Sequence, residues 1–132
     1  HTAKAAKIMQ KMLEDRGQKV EIFDLARDDM AEAIECAYRY DKLVIATVTY
    51  DAGVFPVVED FVYHLKLKNY QKRTVGIIQN GSWGPVAGKK VKESLETLKD
   101  IKIVDPMVTI RSALKEGNLT AMEALADALV AK

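Results

Sequence analysis

A chain of 132 residues has room for one domain and little more. Its 20 Lys and Arg against 19 Asp and Glu leave a formal charge of +1, which provides no electrostatic footprint for nucleic acid. Hydrophobic residues at 48% and charged residues at 30% form an ordinary globular mixture, and no apolar run approaches the ~20 residues of a membrane span. The single cysteine, Cys36, cannot close an internal disulfide. With only His1 and His64 beside it, a Cys/His zinc cage or a His-rich di-iron centre is excluded. The chain opens on a polar, Lys-bearing segment without the pattern of a signal peptide, so a cytoplasmic, reducing location is expected.

From Thr2 to Arg16 the apolar residues Ala6, Met9, Met12 and Leu13 recur at helical spacing, and Gly17 offers a stop. Val20 to Leu25 is rich in β-formers and reads as a short strand. Asp28 can cap a second helix with Met30, Ala33, Ile34 and Ala37 on its apolar face. Leu43 to Ala46 is a continuous apolar strand running into the polar loop Thr47 to Gly53. A helix follows with Pro56 in its first turn and Val58, Phe61, Val62 and Leu65 inward. Val75 to Ile78 is another all-apolar strand, leading into Asn80-Gly81-Ser82-Trp83-Gly84-Pro85. Val91, Leu95 and Leu98 line a fourth helix. Ile103-Val104 and Met107 to Ile110 supply the last strand, interrupted at Pro106. A final helix directs Leu119, Met122, Leu125, Ala126 and Leu129 inward, with Thr120 and Glu123 at capping-box spacing and Asn118 as an equal candidate start.

Short strands without a polar face, alternating with amphipathic helices, specify a parallel sheet covered on both sides. The pattern predicts a doubly wound α/β domain over residues 1–132. Such domains begin with a strand, whereas this chain begins on a helix. In the flavodoxin-like order 2-1-3-4-5 the absent first strand would sit centrally, between Val20–Leu25 and Leu43–Ala46. The expectation is therefore an N-terminally incomplete domain whose sheet has two unpaired internal edges.

In open α/β sheets ligands bind at the carboxyl ends of the strands, near the point where the winding reverses. Three segments are expected to meet there. His1 and Thr2 place a hydroxyl and helix N-terminal N–H groups where a phosphate would be favoured. Thr47, Val48, Thr49, Tyr50, Asp51 and Gly53 can hydrogen-bond a ring edge and stack on its face. Asn80, Gly81, Ser82, Trp83 and Gly84 combine close backbone approach with an aromatic cover. Together they suit a flavin mononucleotide (FMN). Each also has a plainer role: Trp83 as a surface aromatic, Tyr50 packing over a helix, Thr2 as a cap, Asp51 as a turn former. No Ser/His/Asp or Cys/His constellation supplies a protein nucleophile, so redox chemistry would belong to a cofactor.

These motifs resemble those of the C-terminal flavodoxin-like domain of the A-type flavoproteins, or flavodi-iron proteins. His1-Thr2-Ala3-Lys4 is similar to the end of that family's phosphate loop. Thr47 to Pro56 is similar to its loop ending in glycine, two apolar residues and proline, and Gly81-Ser82-Trp83-Gly84 to its Gly-Ser-aromatic-Gly loop. Two positions depart from the pattern: Asp51 stands where the family usually has Asn, and Pro85 where it often has a second aromatic.

The resemblance implies an FMN electron-transfer domain without catalytic residues of its own. Its parent would be an oxygen- or nitric-oxide-reducing flavoprotein whose di-iron site lies in a separate β-lactamase-like domain. A small iron–sulfur protein would deliver electrons, and the parent would form a head-to-tail homodimer; no nucleic-acid or membrane partner is implied. The alternative is a flavodoxin-like binding or regulatory module that no longer carries FMN.

Overall fold

The computed structural model describes residues 2–50, 53–54, 56–81, 86–111 and 115–131. Five helices surround one sheet: α1 Thr2–Asp15, α2 Met30–Arg39, α3 Pro56–Leu67, α4 Ala87–Glu96 and α5 Glu116–Val130. The strands are β1 Lys42–Tyr50, β2 Gly53–Val54, β3 Arg73–Asn80, β4 Ile101–Ile103 and β5 Val108–Ile110. β3 is the axis, buried from Val75 through Gln79 because it has neighbours on both sides. β1 runs parallel to it from Lys42↔Thr74 to Val48↔Asn80. On its other side β4 pairs with Arg73–Val75 and β5 with Ile78–Asn80, both parallel.

Alternation along the strands divides the core in two, as a sheet covered on both faces requires. Ile45, Val75 and Ile77 join Ile34, Phe61, Val62, Leu65, Val91 and Leu95 beneath α2, α3 and α4. Ile78, Val108 and Ile110 join Met9, Leu13, Met122, Leu125 and Leu129 beneath α1 and α5. Gly76 lets α5 approach closely: a Cβ there would lie 3.1 Å from Leu125 Cδ1 and 3.3 Å from Leu129 Cδ1. The doubly wound α/β architecture is thus present. β1, β3 and the β4–β5 pair occupy three successive positions of the expected order.

The elements differ from expectation in four places. Val20–Leu25 forms no strand among the described residues, because a strand needs a ladder partner and none is offered; Lys42–Val48 of β1 are likewise paired on one side only, with β3. Thr47 to Tyr50 is not a loop but the end of β1, where β-branched and aromatic residues continue the ladder and Tyr50 pairs back with Gly53 of β2. Leu98 lies beyond α4, which ends at Glu96, rather than on it, while the last strand is interrupted at Pro106, as expected, into β4 and β5. Leu119 is 38% exposed in the first turn of α5 rather than inward.

The helix ends carry the remaining corrections. Asp29, not Asp28, caps α2, its Oδ1 accepting from the Ala31 N–H at 3.1 Å, while Asp28 Oδ2 accepts from the Asp24 N–H. α1 buries Ala5 rather than Ala6, and stops at Gly17 with φ +83°, as expected of a glycine stop. α5 starts at Glu116, and Asn118 Oδ1 accepts from the Lys115 N–H at 2.9 Å, so Asn118 rather than Thr120 closes that turn. None of the described helices is long and apolar enough to cross a membrane.

Candidate functional site

The helices change face between α1 and α3, which places a winding reversal beside β1, and the carboxyl ends of β1, β3 and β5 form one crest. Two of the expected segments are brought together there. Val48 stands opposite Asn80 in the β1–β3 ladder, Asn80 stands opposite Ile110, and the Gly81 N–H donates to Ile110 O at 3.0 Å. Thr47 is 2% exposed, and Thr49, Tyr50 and Gly53 form the antiparallel β1–β2 turn at the same end. Thr2 heads α1, whose buried residues share a core cluster with Ile78 and Ile110. His1, Asp51, Ser82, Trp83 and Gly84 lie outside the described residues.

Directly beneath the crest is a polar group that the sequence reading passed over. Gln79 is 7% exposed, its side-chain Oε1 accepts from the Gly88 N–H at 2.9 Å, and its Nε2 donates to Thr109 Oγ1 at 2.9 Å. The Asn118 amide donates in turn to Thr109 O at 2.9 Å, so a polar belt links the first turns of α4 and α5 to the strand ends. Gln79 directly continues the apolar run Val75–Ile78 of β3 on the buried face, and Gly88 stands in the first turn of the following helix.

The groups whose pKa departs from its ordinary value lie elsewhere. Burial, aided by the Glu21 carboxylate that accepts its S–H at 3.0 Å, pushes the Cys36 thiol up to about 11, consistent with an inert residue. Hydrogen bonds from Cys36 and Tyr40 hold the Glu21 carboxyl below its usual range. Burial pushes Tyr70 up to about 12. His64 sits at the surface of α3, bonded through Nδ1 to Asp60 O at 2.8 Å. An open trough of about 660 Å³ runs along α1, lined by Lys4, Lys7, Ile8, Lys11, Met12 and Glu123 among others. Its lining has ammonium groups and aliphatic stems but no aromatic face, which suits a planar ring poorly.

The sequence profile of flavodoxin matches residues 1–124, nearly the whole chain. The chain belongs to the flavodoxin family. Its fold is shared with a rubredoxin oxygen:oxidoreductase from Desulfovibrio gigas at a TM-score of 0.87 and 15% identity, covering 97% of this chain and 32% of that one. A flavodiiron core from Synechocystis gives a TM-score of 0.83 at 13% identity, over 96% of this chain and 31% of that one. An oxidised flavodoxin from Bacillus cereus gives 0.82 at 13% identity, over 98% and 88%. At these identities the likeness is one of fold. The flavodoxin-family chain spans about a third of the length of the first of these proteins. No curated protein matches it in sequence.

Flavodoxin membership implies a flavin, FMN, and the residues present at the crest fit that group. The paired ends of β1 and β3 bring the amide of Asn80 and the backbone carbonyl of Gly81 to the winding reversal, beside the buried Thr47. These are neutral hydrogen-bonding groups, which suit a flavin ring edge that presents both donors and acceptors.

Proposed function

We propose that this chain is an FMN-binding electron-transfer domain and forms part of a longer oxygen- or nitric-oxide-reducing flavodi-iron protein. The observation that carries the first half is the family match together with a crest where Val48 meets Asn80 across two parallel strands. The second half is supported by the loop resemblance at Thr47–Pro56 and Gly81–Gly84, and by fold neighbours that include a rubredoxin oxygen:oxidoreductase and a flavodiiron core. A small iron–sulfur donor, a di-iron domain as acceptor and a homodimeric parent follow from the same reading.

FMN supplies one- and two-electron redox chemistry when bound; the chain binds it, orients it and limits its access to water. Thr49, Tyr50, Asp51 and Gly53 would hold the ring edge from the β1–β2 turn. Gly81 and Ser82 would offer backbone and hydroxyl partners, and Trp83 an aromatic cover. Thr2, with the first-turn N–H groups of α1, would take the phosphate, because a helix N-terminus presents unpaired donors and a positive dipole end. Thr47 opposite Gln79 and Val48 opposite Asn80 keep the two strand ends in register.

Titrating the chain with FMN while following flavin fluorescence and the emission of Trp83, its only tryptophan, tests the reading. Saturable binding with quenching of both signals is expected. Trp83→Ala should weaken affinity by about tenfold, since aromatic stacking contributes on the order of 1 kcal/mol beyond burial. A chain that leaves free FMN fluorescence unchanged would instead be the flavodoxin-like module without a cofactor.

A further inference from the structure

Gln79 occupies a position where alternation along β3 asks for a hydrophobe. Val75 and Ile77 precede it on the same face, both buried against the α2–α4 side of the core. A buried amide is unfavourable unless its donors and acceptor are paired, so its presence there needs a partner set. That set is built. Oε1 accepts from Gly88, the second residue of α4, while Nε2 donates to Thr109 Oγ1 and lies 3.5 Å from Met107 Sδ.

Helix α4 explains why the amide comes from the sheet. Its N-cap residue is Val86, which makes no side-chain cap hydrogen bond. The first-turn N–H of Gly88 is one of the orphan donors of a helix start, and Gln79 satisfies it from below. Gly88 is matched to the arrangement: a Cβ there would stand 2.6 Å from Met107 Sδ and 2.9 Å from Gln79 Oε1. The Gly81 N–H, at the other end of the connection, is tied to Ile110 O. Gly81 and Gly88 are therefore both tied to one hydrogen-bonded unit of β3 and β5.

We infer that Gln79 is a positioning residue for the flavin site: by clasping the first turn of α4 to β3 and β5, it sets where Asn80 and Gly81 stand at the carboxyl end of the sheet. This rests on the FMN reading. A purely structural residue at this place would be served by leucine, which continues the apolar face of β3 and fills similar volume. An amide with both ends bonded fixes position as well as filling space.

The test compares Gln79→Leu with Arg73→Ala, a change at the opposite end of β3, in the full chain. FMN dissociation constant, reduction potential of the bound flavin, urea stability, and hydrogen exchange of the Gly88 amide in the FMN-free protein are measured for each. Gln79→Leu should raise the FMN dissociation constant about tenfold. It should also move the potential and speed Gly88 exchange, while Arg73→Ala lowers stability without changing affinity or potential. Thr109→Val, which removes one bond of the clasp, should act in the same direction at lower amplitude, and replaces Gln79→Leu if that variant does not fold. Affinity and potential equal to wild type, or an affinity loss no larger than that of Arg73→Ala, would overturn the clasp while leaving FMN binding standing. A wild-type chain that binds no FMN would overturn the reading beneath it as well.

Discussion

β3 ends in two contrasting ways. At its amino end Arg73 uses its guanidinium on backbone carbonyls: Nε donates to Tyr40 O at 2.9 Å, Nη2 to Tyr38 O at 3.0 Å and Nη1 to Gln71 O at 2.7 Å. Its charge also lies 5.2 Å from the centroid of the Tyr70 ring, which meets Tyr38 edge-on at 5.3 Å. At its carboxyl end, Gln79 and Asn80 bring polar groups to a crest where helix starts and strand ends converge. The first end closes on itself, joining the end of α2 to the turn before β3. The second presents groups outward around one buried clasp. Stability and ligand binding should therefore separate along one strand, and each variant below tests that separation.

Arg73→Ala should show the largest effect. It removes the guanidinium's charge-assisted hydrogen bonds, four in all with a longer one to Lys72 O at 3.4 Å, and a cation–π contact at a half-buried site, leaving carbonyls at the end of α2 without their donor. A loss of about 3 kcal/mol is expected, discounted from the sum of such bonds because solvent can replace part of them. Urea denaturation measures it. FMN affinity in the folded protein should be unchanged. An effect below about 1 kcal/mol, or a loss of FMN affinity in step with stability, would show that the two ends are not independent.

Tyr70→Phe probes the same end through pH. Tyr70 is fully buried, and among the described residues its hydroxyl has no hydrogen-bond partner, so deleting the hydroxyl should stabilise by about 1 kcal/mol near neutral pH. Burial raises its pKa from 10.0 to about 12 in the fold. The neutral phenol is the form the fold prefers, so this contribution is fully present below pH 10. As pH rises from 10 to 12 the unfolded chain gives up the proton first, and wild-type stability falls. The gap between Tyr70→Phe and wild type should widen by about 2 to 3 kcal/mol across that window. A constant gap from pH 9 to 12 would mean that Tyr70 titrates as an exposed tyrosine does.

The same contrast explains what was legible in the sequence. Helix faces such as Val58, Phe61, Val62 and Leu65 were readable because burial follows a 3.6-residue period, and all four are buried. The parallel strands were readable because Val75 to Ile78 has no polar face. Val20–Leu25 was misread because β-forming residues make a strand only against a partner. Thr47–Tyr50 was misread because polar composition suggested a loop, although threonine and tyrosine suit a strand as well as valine does. Of the loop motifs, the described ends meet across the sheet, where Val48 stands opposite Asn80. The clasp of Gln79 stayed hidden because its partners Gly88 and Thr109 lie 9 and 30 residues away along the chain, and only the fold brings them together.

The smallest expected effect belongs to Asp51, where this chain departs from the Asn usual in the proteins it resembles. A carboxylate near the flavin adds repulsion when the reduced ring becomes negative, and Asn keeps the size and the carbonyl acceptor without the charge. At ~6 Å and an effective dielectric of ~20, Coulomb's law sets a ceiling of about 3 kcal/mol, which solvent and salt cut severalfold. Asp51→Asn should then raise the flavin potential by tens of millivolts, on the order of half a kcal/mol for one electron. The urea midpoint should stay the same, since Asn keeps the size and polarity of Asp. Spectroelectrochemical titration of both proteins at one pH and ionic strength reads the shift, and raising the salt should shrink it. A fall in potential, or no change, would mean that Asp51 faces water and shapes the β1–β2 turn alone. The separation between the two ends of β3 would then rest on Gln79 rather than on a charge at the crest.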